Sequence, residues 1–369
     1  MTRLSTVLKQ APEHMLEPGD FQDTLQGILI RVVRNLPGAP FPGWSTAESR
    51  RSVAERLLPR LPEMPEFAQG AFQAEMPELG FNDRQRLLLL NLISPCLSAR
   101  QEGCHLLVSR KRDTLAMVNE EEHLVVHHFL RKAGKHGADG RLPDLPKAVD
   151  DLCRHIDILT TYAWDAAGNR FLTSLPAECG SGVQLFALLH LPALNFANMT
   201  GQVTKAVEQL HLNISPYYAD GHDDTGNRFM LYTVPGPDET PGEMVAHFSG
   251  VVRRLAEREL GVRQRLLREP GQRIHDRIGR AYGMLLHARR LSVKEMRDAF
   301  SMLRLATVLG VIEWECGAES LIRTLNRLGL ELAAAFATAE DGEAAPRTLA
   351  DGCRAFLQST PHTFNTPNH

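Results

Sequence analysis

The sequence predicts an α+β domain followed by an all-helical domain, and three observations carry that expectation. Up to Thr240, short apolar runs of strand length mix with helical patterns and are separated by Pro- and Gly-rich turns. Beyond Pro241, apolar residues recur at spacings of three and four through four long stretches joined by short connections. The chain's 369 residues also exceed what one hydrophobic core usually serves, roughly 250–300.

Composition narrows the class. With 43% hydrophobic and 23% charged residues the chain is an ordinary globular protein, and a net charge of -3 gives no reason to expect nucleic acid as a partner. The six cysteines form no CxxC pair and no metal-finger spacing. Neither a basic leader with an apolar run nor an 18-residue apolar segment is present, so a cytoplasmic protein with reduced thiols and no membrane contact is expected.

In chain order, residues 1–24 are poorly periodic and read as a loosely attached, helical lead-in. Leu25 to Val33 reads as a strand, left rigidly through the prolines of 35–42. Ser45-Thr46 caps a helix to Pro59, and the four prolines of 59–80 predict irregular chain. Asn82 or Asp83 caps an apolar helix that ends before Pro95. Cys104–Ser109 and Thr114–Val118 form a hairpin around Arg110–Asp113, Leu124–Leu130 is a helix start or a strand, and 132–143 is a turn-rich loop. A helix from Leu145 to Thr161 follows.

The stretch from Tyr162 to Leu194 organises the rest. Asp165–Gly168 reads as a turn, Asn169–Leu175 as a short strand, and Gly180-Ser181-Gly182 as a loop opening an apolar helix towards Pro192. Such a loop presents backbone N–H groups to an anion, although most such turns only make the turn. Then come a helix over Ala197–Leu210 and strands at Leu212–Tyr218 and Arg228–Val234. The four helical stretches are Gly242–Leu267, Gln272–Arg290, Ser292–Leu309 and Ala318–Ala337. A mobile tail is expected from Thr338. The expected domains are thus 25–241, 242–337 and the tail 338–369.

Several landmarks occur in one collinear order. They are Arg31-Val-Val-Arg-Asn-Leu36 with Pro40-Phe-Pro42, Ile93-Ser-Pro95, Met117 to His123, Tyr162 to Leu194, and Asp220-Gly221 with Gly226-Asn227. In the helical part they are Asp276-Arg277, Ala281-Tyr-Gly283, Ala288-Arg289 and Leu291-Ser292 before Lys294-Glu295. Over roughly residues 20–340 the chain resembles the phosphagen (guanidino) kinases, and most closely the McsB-type bacterial protein-arginine kinases. That resemblance implies an antiparallel sheet flanked by helices, then a helical domain that mediates dimerisation. It also implies transfer of the γ-phosphoryl of Mg-ATP to a guanidinium nitrogen.

A guanidinium is cationic and a poor nucleophile, so carboxylates must hold it and help remove its proton, while arginines clamp the phosphates. By resemblance Glu121 is the guanidinium-binding acid and Asp220 stands where the family has a second glutamate. Arg31, Gly180, Ser181 and Gly182 match the nucleotide site. Of five family arginines only Arg31 remains; Leu29, Val125, Gln184 and Ser215 occupy the other positions. Leu175-Pro-Ala-Glu178 replaces the family's Cys-Pro-Thr/Ser-Asn and places a carboxylate near the phosphate path. One lost transition-state donor costs about 3–4 kcal/mol, so two full losses mean on the order of 10⁴–10⁶ in rate.

Two functional readings follow. In one the chain is an impaired kinase acting as a regulatory or arginine-binding pseudokinase, homodimeric, with protein arginine side chains or a protein regulator as partner. In the other it is an active ATP:guanidino phosphotransferase whose clamp is rebuilt from Arg110, Arg112, Arg170 or Arg228. Two lesser features are His123 and His127, a metal pair if helical, and Asp351-Gly-Cys-Arg354-Ala355, which resembles a phosphoarginine-reading element of McsB-type proteins but is readily explained by chance.

Overall fold

In the computed structural model the residues described are 3–8, 11–100, 102–130, 145–217, 226–234, 239–269, 272–337 and 344–365. Eight strands form one sheet, every neighbouring pair antiparallel: β1 (Leu25–Arg34), β2 (Ala71–Glu75), β3 (His105–Ser109), β4 (Thr114–Val118), β5 (Leu124–Leu130), β6 (Val183–His190), β7 (Leu212–Pro216) and β8 (Arg228–Thr233). The order across the sheet is β2-β3-β4-β5-β1-β6-β8-β7. β9 (Ile312–Trp314) and β10 (His362–Phe364) pair separately.

The helices are α1 (Leu4–Leu8), α2 (Glu13–Leu16), α3 (Asp20–Asp23), α4 (Ala47–Leu57), α5 (Phe81–Leu89), α6 (Pro95–Ser98), α7 (Leu145–Asp157), α8 (Pro192–Phe196) and α9 (Thr200–Glu208). Then follow α10 (Pro241–Leu267), α11 (Arg273–His287), α12 (Val293–Val308), α13 (Ala318–Ala337) and α14 (Ala345–Ser359). α4 begins where Thr46 accepts the Ser49 N–H, and α10 and α12 begin in capping boxes, Thr240 with Glu243 and Ser292 with Glu295.

Residue parity explains the two faces of the sheet. Ile28, Ile30 and Val32 of β1 face the larger core with Val183, Leu185, Ala187 and Leu189 of β6, under α7, α10 and the later helices. Val33 faces the other way, into a smaller core with Leu106, Val108, Met117 and Val125, covered by Val7, Leu8, Leu87 and Leu97. The larger core runs without a break from the sheet into α11, α12, α13 and α14.

The structure corrects several expectations. Residues 183–190 are a central strand, not a helix, so Gly180–Gly182 opens no helix N-terminus; the run alternates buried with half-buried side chains between β1 and β8. Asn169–Leu175 is no strand and contributes only bridges of Phe171 to Trp164 and Gly180. The 59–80 segment contains the edge strand β2. The lead-in is anchored, with Asp23 fully buried against Arg304 at 2.7 Å. Residues 345–364, expected in the tail, form α14 and β10. The loop 132–143 lies outside the described residues.

Candidate functional site

The β4–β5 connection builds the acidic side of the site. Asn119 takes a positive φ of 59°, which asparagine tolerates, and its Nδ2 donates to Arg50 O at 2.8 Å and Gly103 O at 2.6 Å. The tight turn projects the next three acids in different directions. Glu122 is buried and structural: it accepts from Asn35 Nδ2 at 2.6 Å, Ser174 N at 2.9 Å and Ser174 Oγ at 2.8 Å. Glu120 is also buried, accepting from Ser94 Oγ and, at 2.8 Å, from the Glu121 N–H. Glu121 is the half-exposed one, and its carboxylate lies 3.5 Å from Arg31 Nη2.

Burial raises the Glu121 pKa above the ordinary glutamate value, and Glu120 and Glu178 push it the same way against Arg31 and Arg100. Cys96 belongs to the same cluster; burial and Glu120 push its thiol up to about 11, which keeps it protonated at neutral pH. Three carboxylates, Glu120, Glu121 and Glu178, therefore stand against two guanidinium groups, Arg31 and Arg100. That surplus of negative charge suits a cation.

The expected phosphate side has a different character. Arg31 donates from Nη1 to Gln184 Oε1 at 2.6 Å, so the arginine expected to remain is held by the residue expected to replace another. Val125 is fully buried in the smaller core, and Leu29 is flanked in register by Phe129 and Phe186. The buried place of Val125 has no room for a charged group. Ser215 lies on β7 opposite Met230.

Gly180, Ser181 and Gly182 are engaged within the fold. The Gly180 N–H donates to Phe171 O at 3.4 Å, and Ser181 Oγ accepts the Val183 N–H at 3.3 Å. Gly182 has φ +65°, and a Cβ there would lie 2.6 Å from Arg34 Nη1 and 2.7 Å from Val33 O, so glycine is required by the close approach. Arg34 itself is buried, donates from Nε to Asp157 at 2.7 Å and from Nη1 to Ser181 O at 3.1 Å, and lies 3.5 Å over the Phe171 ring.

Of the six site residues read from the sequence, the structure brings Arg31 to Glu121 and sets Gly180–Gly182 at the β6 entrance; Asp220 lies outside the described residues. Arg100, Cys96 and Glu120 were missed, and Glu120 was signalled only by adjacency. His123 and His127 are not a helical pair, because the chain here is extended. Nδ1 of His123 accepts the Leu36 N–H at 3.0 Å and Nε2 faces Pro40 O at 2.9 Å, leaving no ring nitrogen for a metal. No group of three metal-ligating side chains occurs among the described residues. Arg354 caps the end of α11 by donating to Leu286 O at 3.2 Å and Ala288 O at 2.5 Å, and pairs with Asp351 at 2.8 Å.

Two of the proposed substitutes for the clamp, Arg112 and Arg228, sit in different parts of the sheet. Arg112 reaches Val7 O at 3.4 Å beneath the smaller core, and Arg228 lies 5.1 Å over the Tyr217 ring at the far end of β8. Among the described helices none is long and apolar enough to cross a membrane.

Comparison with known proteins agrees with this fold. Residues 63–260 match the ATP:guanido phosphotransferase C-terminal catalytic domain, and residues 271–363 match the protein-arginine kinase McsB C-terminal domain. The protein-arginine kinase of Moorella thermoacetica is 31% identical over 337 residues, covering 90% of this chain and 92% of its own. That of Caldanaerobacter subterraneus subsp. tengcongensis is 28% identical over 292 residues, covering 79% and 84%. Among solved structures, the duplicated taurocyamine kinase of Schistosoma mansoni superposes with a TM-score of 0.55 at 15% identity, over 79% of this chain and 43% of that one. Lombricine kinase does so with a TM-score of 0.51 at 14% identity, over 70% and 76%. With residues 63–260 and 271–363 matched to its catalytic and C-terminal models and a relative 31% identical over most of both chains, the chain belongs to the ATP:guanido phosphotransferase family, among the protein-arginine kinases.

Proposed function

We propose that this protein is a protein-arginine-kinase-family member with an impaired phosphate clamp, which acts as a regulatory pseudokinase that binds arginine side chains. The observation that carries the reading is the charge balance around Glu121: a surplus of carboxylate meets Arg31, and Arg31 is already held by Gln184 and Glu121. A guanidinium fits such a site, whereas a polyphosphate meets repulsion from Glu121 and Glu178. The relatives' printed activity, arginine phosphorylation in proteins, names the side chain such a pocket is built to take. The protein would act in the cytoplasm as a homodimer through residues 242–337.

Calorimetric titration tests this. An arginine-containing peptide binds, and Mg-ATP gives no heat of binding up to millimolar concentration. Micromolar Mg-ATP affinity that disappears in Arg31→Ala overturns the reading. In that case the active-kinase alternative is decided by phosphoarginine formation, which Glu121→Gln and Asp220→Asn must both reduce.

A further inference from the structure

A cleft of about 780 Å³ opens between the lead-in, α5, the β3–β4 turn and α13. That volume falls within the roughly 300–1,000 Å³ of small-molecule sites. Among the described residues none from β1 or β6 lines it, so it is separate from the sheet surface around Arg31 and Glu121.

Two helices set its chemistry. α13 contributes Arg323, Arg327, Leu330 and Ala334, whose spacing places them along one face of the helix. α5 repeats the order within one turn, Arg86 being followed by Leu89 and Leu90. Leu8 and Leu16 of the lead-in complete the aliphatic side, and Arg112 enters from the β3–β4 turn.

These arginines are not matched as the buried ones are. Arg86 Nη2 reaches a neutral partner, Leu8 O, at 3.4 Å. Arg323 lies 4.0 Å from Glu17 and stays 46% exposed. Arg327 makes no hydrogen bond or ion pair among the described residues, not even with Glu331 one turn further on. By contrast Arg304 sits 2.7 Å from Asp23 and Arg263 2.8 Å from Glu259. Among the described lining residues four guanidinium groups face two carboxylates, Glu13 and Glu331. Like charges gathered around one space repel, and a bound anion relieves that repulsion.

The walls limit what the anion is. Guanidinium forks match the paired oxygens of a phosphate. The remaining surface is leucine and alanine, and no aromatic ring lines the cleft among the described residues, so a flat base has nothing to stack on. An aliphatic chain suits that surface, because each methylene it buries adds about 0.8 kcal/mol of binding.

We infer that this cleft binds a soluble amphiphile, a phosphate head on a short aliphatic chain. Arg86, Arg323 and Arg327 hold the head, and Leu8, Leu89, Leu90 and Leu330 take the chain. The site goes beyond the reading of the Glu121 cluster and is independent of it, because no residue of that cluster lines the cleft. Since the cleft joins the lead-in and α5 to α13, an occupant also stabilises the packing of the helical part on the sheet part.

The test uses the full chain and n-octyl phosphate below its micelle concentration, with calorimetry for affinity and thermal unfolding for stabilisation. The wild type binds saturably, its thermal midpoint rises, and inorganic phosphate binds at least about 100-fold more weakly. Arg86→Gln and Arg327→Gln each weaken octyl phosphate about tenfold. Neither arginine has a carboxylate partner among the described residues, so both variants keep the wild-type midpoint without ligand. Arg51→Gln, which removes an exposed arginine paired with Glu102 outside the cleft, leaves the affinity unchanged. Absence of saturable binding, inorganic phosphate binding as tightly as octyl phosphate, or an equal loss in all three variants overturns the inference. Phosphatidylglycerol vesicles should leave the chain in solution; co-sedimentation that Arg86→Gln and Arg327→Gln abolish would assign the cleft to a bilayer headgroup and overturn the soluble ligand.

Discussion

Two clusters of charge in this molecule follow opposite rules. Around Asp23, Arg304, His190, Glu259 and Arg263 every side chain is buried, and the acids and arginines are matched by geometry: Arg263 Nε to Glu259 at 2.8 Å, Arg304 to Asp23 at 2.7 Å, and both Glu259 oxygens accepting the N–H groups of Ala193 and Leu194 at 2.9 Å. Around Glu121 the acids outnumber the arginines, and the central carboxylate is 57% exposed. The first arrangement joins lead-in, sheet and helices. The second leaves charge unspent at a surface where a ligand can use it, which is the mark of a site rather than a strut.

The sharpest way to break this comparison is to remove one partner from each cluster. Arg263→Leu strands Glu259 in the core and should cost about 3–5 kcal/mol in denaturant unfolding. Glu121→Gln, by contrast, should change stability by no more than about 0.5 kcal/mol. Similar losses in the two variants would erase the distinction.

Acid distinguishes them next. Burial holds the His190 pKa well below the ordinary 6.5, so the unfolded chain takes up a proton that the folded one refuses. Stability should therefore fall as pH drops below 6.5, by about 1.4 kcal/mol per pH unit for this imidazole while its folded form stays neutral. Asp23, whose pKa is held down by Arg304 against the effect of burial, adds its own loss only below its unfolded value of 3.8. A stability curve flat from pH 7 to 5 would show that the His190 imidazole is not buried neutral.

The smallest effect on the fold is the most telling for the site. Glu121→Gln should weaken an arginine-containing peptide about 10- to 100-fold, since a charge-assisted hydrogen bond is worth about 1.5–3 kcal/mol. The wild-type affinity should also decline as pH falls towards the raised Glu121 pKa, because the acid must be ionised to hold a cation. An affinity independent of both would remove Glu121 from the site.

Much of the fold was legible in the residues. β1, the β3–β4 hairpin and the long helices stood out because their spacing and caps agreed, as with Thr46 and Ser292. β6 was not, because Val183–His190 is nearly all apolar; such a run cannot be told from a buried helix without knowing which strands flank it. β2 hid among prolines as an edge strand with one neighbour. Glu121 and Arg31 were singled out by resemblance, and the fold sets their side chains 3.5 Å apart. Arg100 and Cys96, which follow Pro95, reach Glu121 only through the way the chain packs beside the β4–β5 turn, a relation no spacing encodes.

The bond between Asp23 and Arg304 spans 281 positions of the chain. A contact between residues so far apart in the chain is expected to form late in folding, after the local elements. A bond made after the rate-limiting barrier acts on the way out and not on the way in. If so, Asp23→Asn should leave the refolding rate nearly untouched and shorten the native half-life, the behaviour of a kinetic latch, which stopped-flow refolding and unfolding measure.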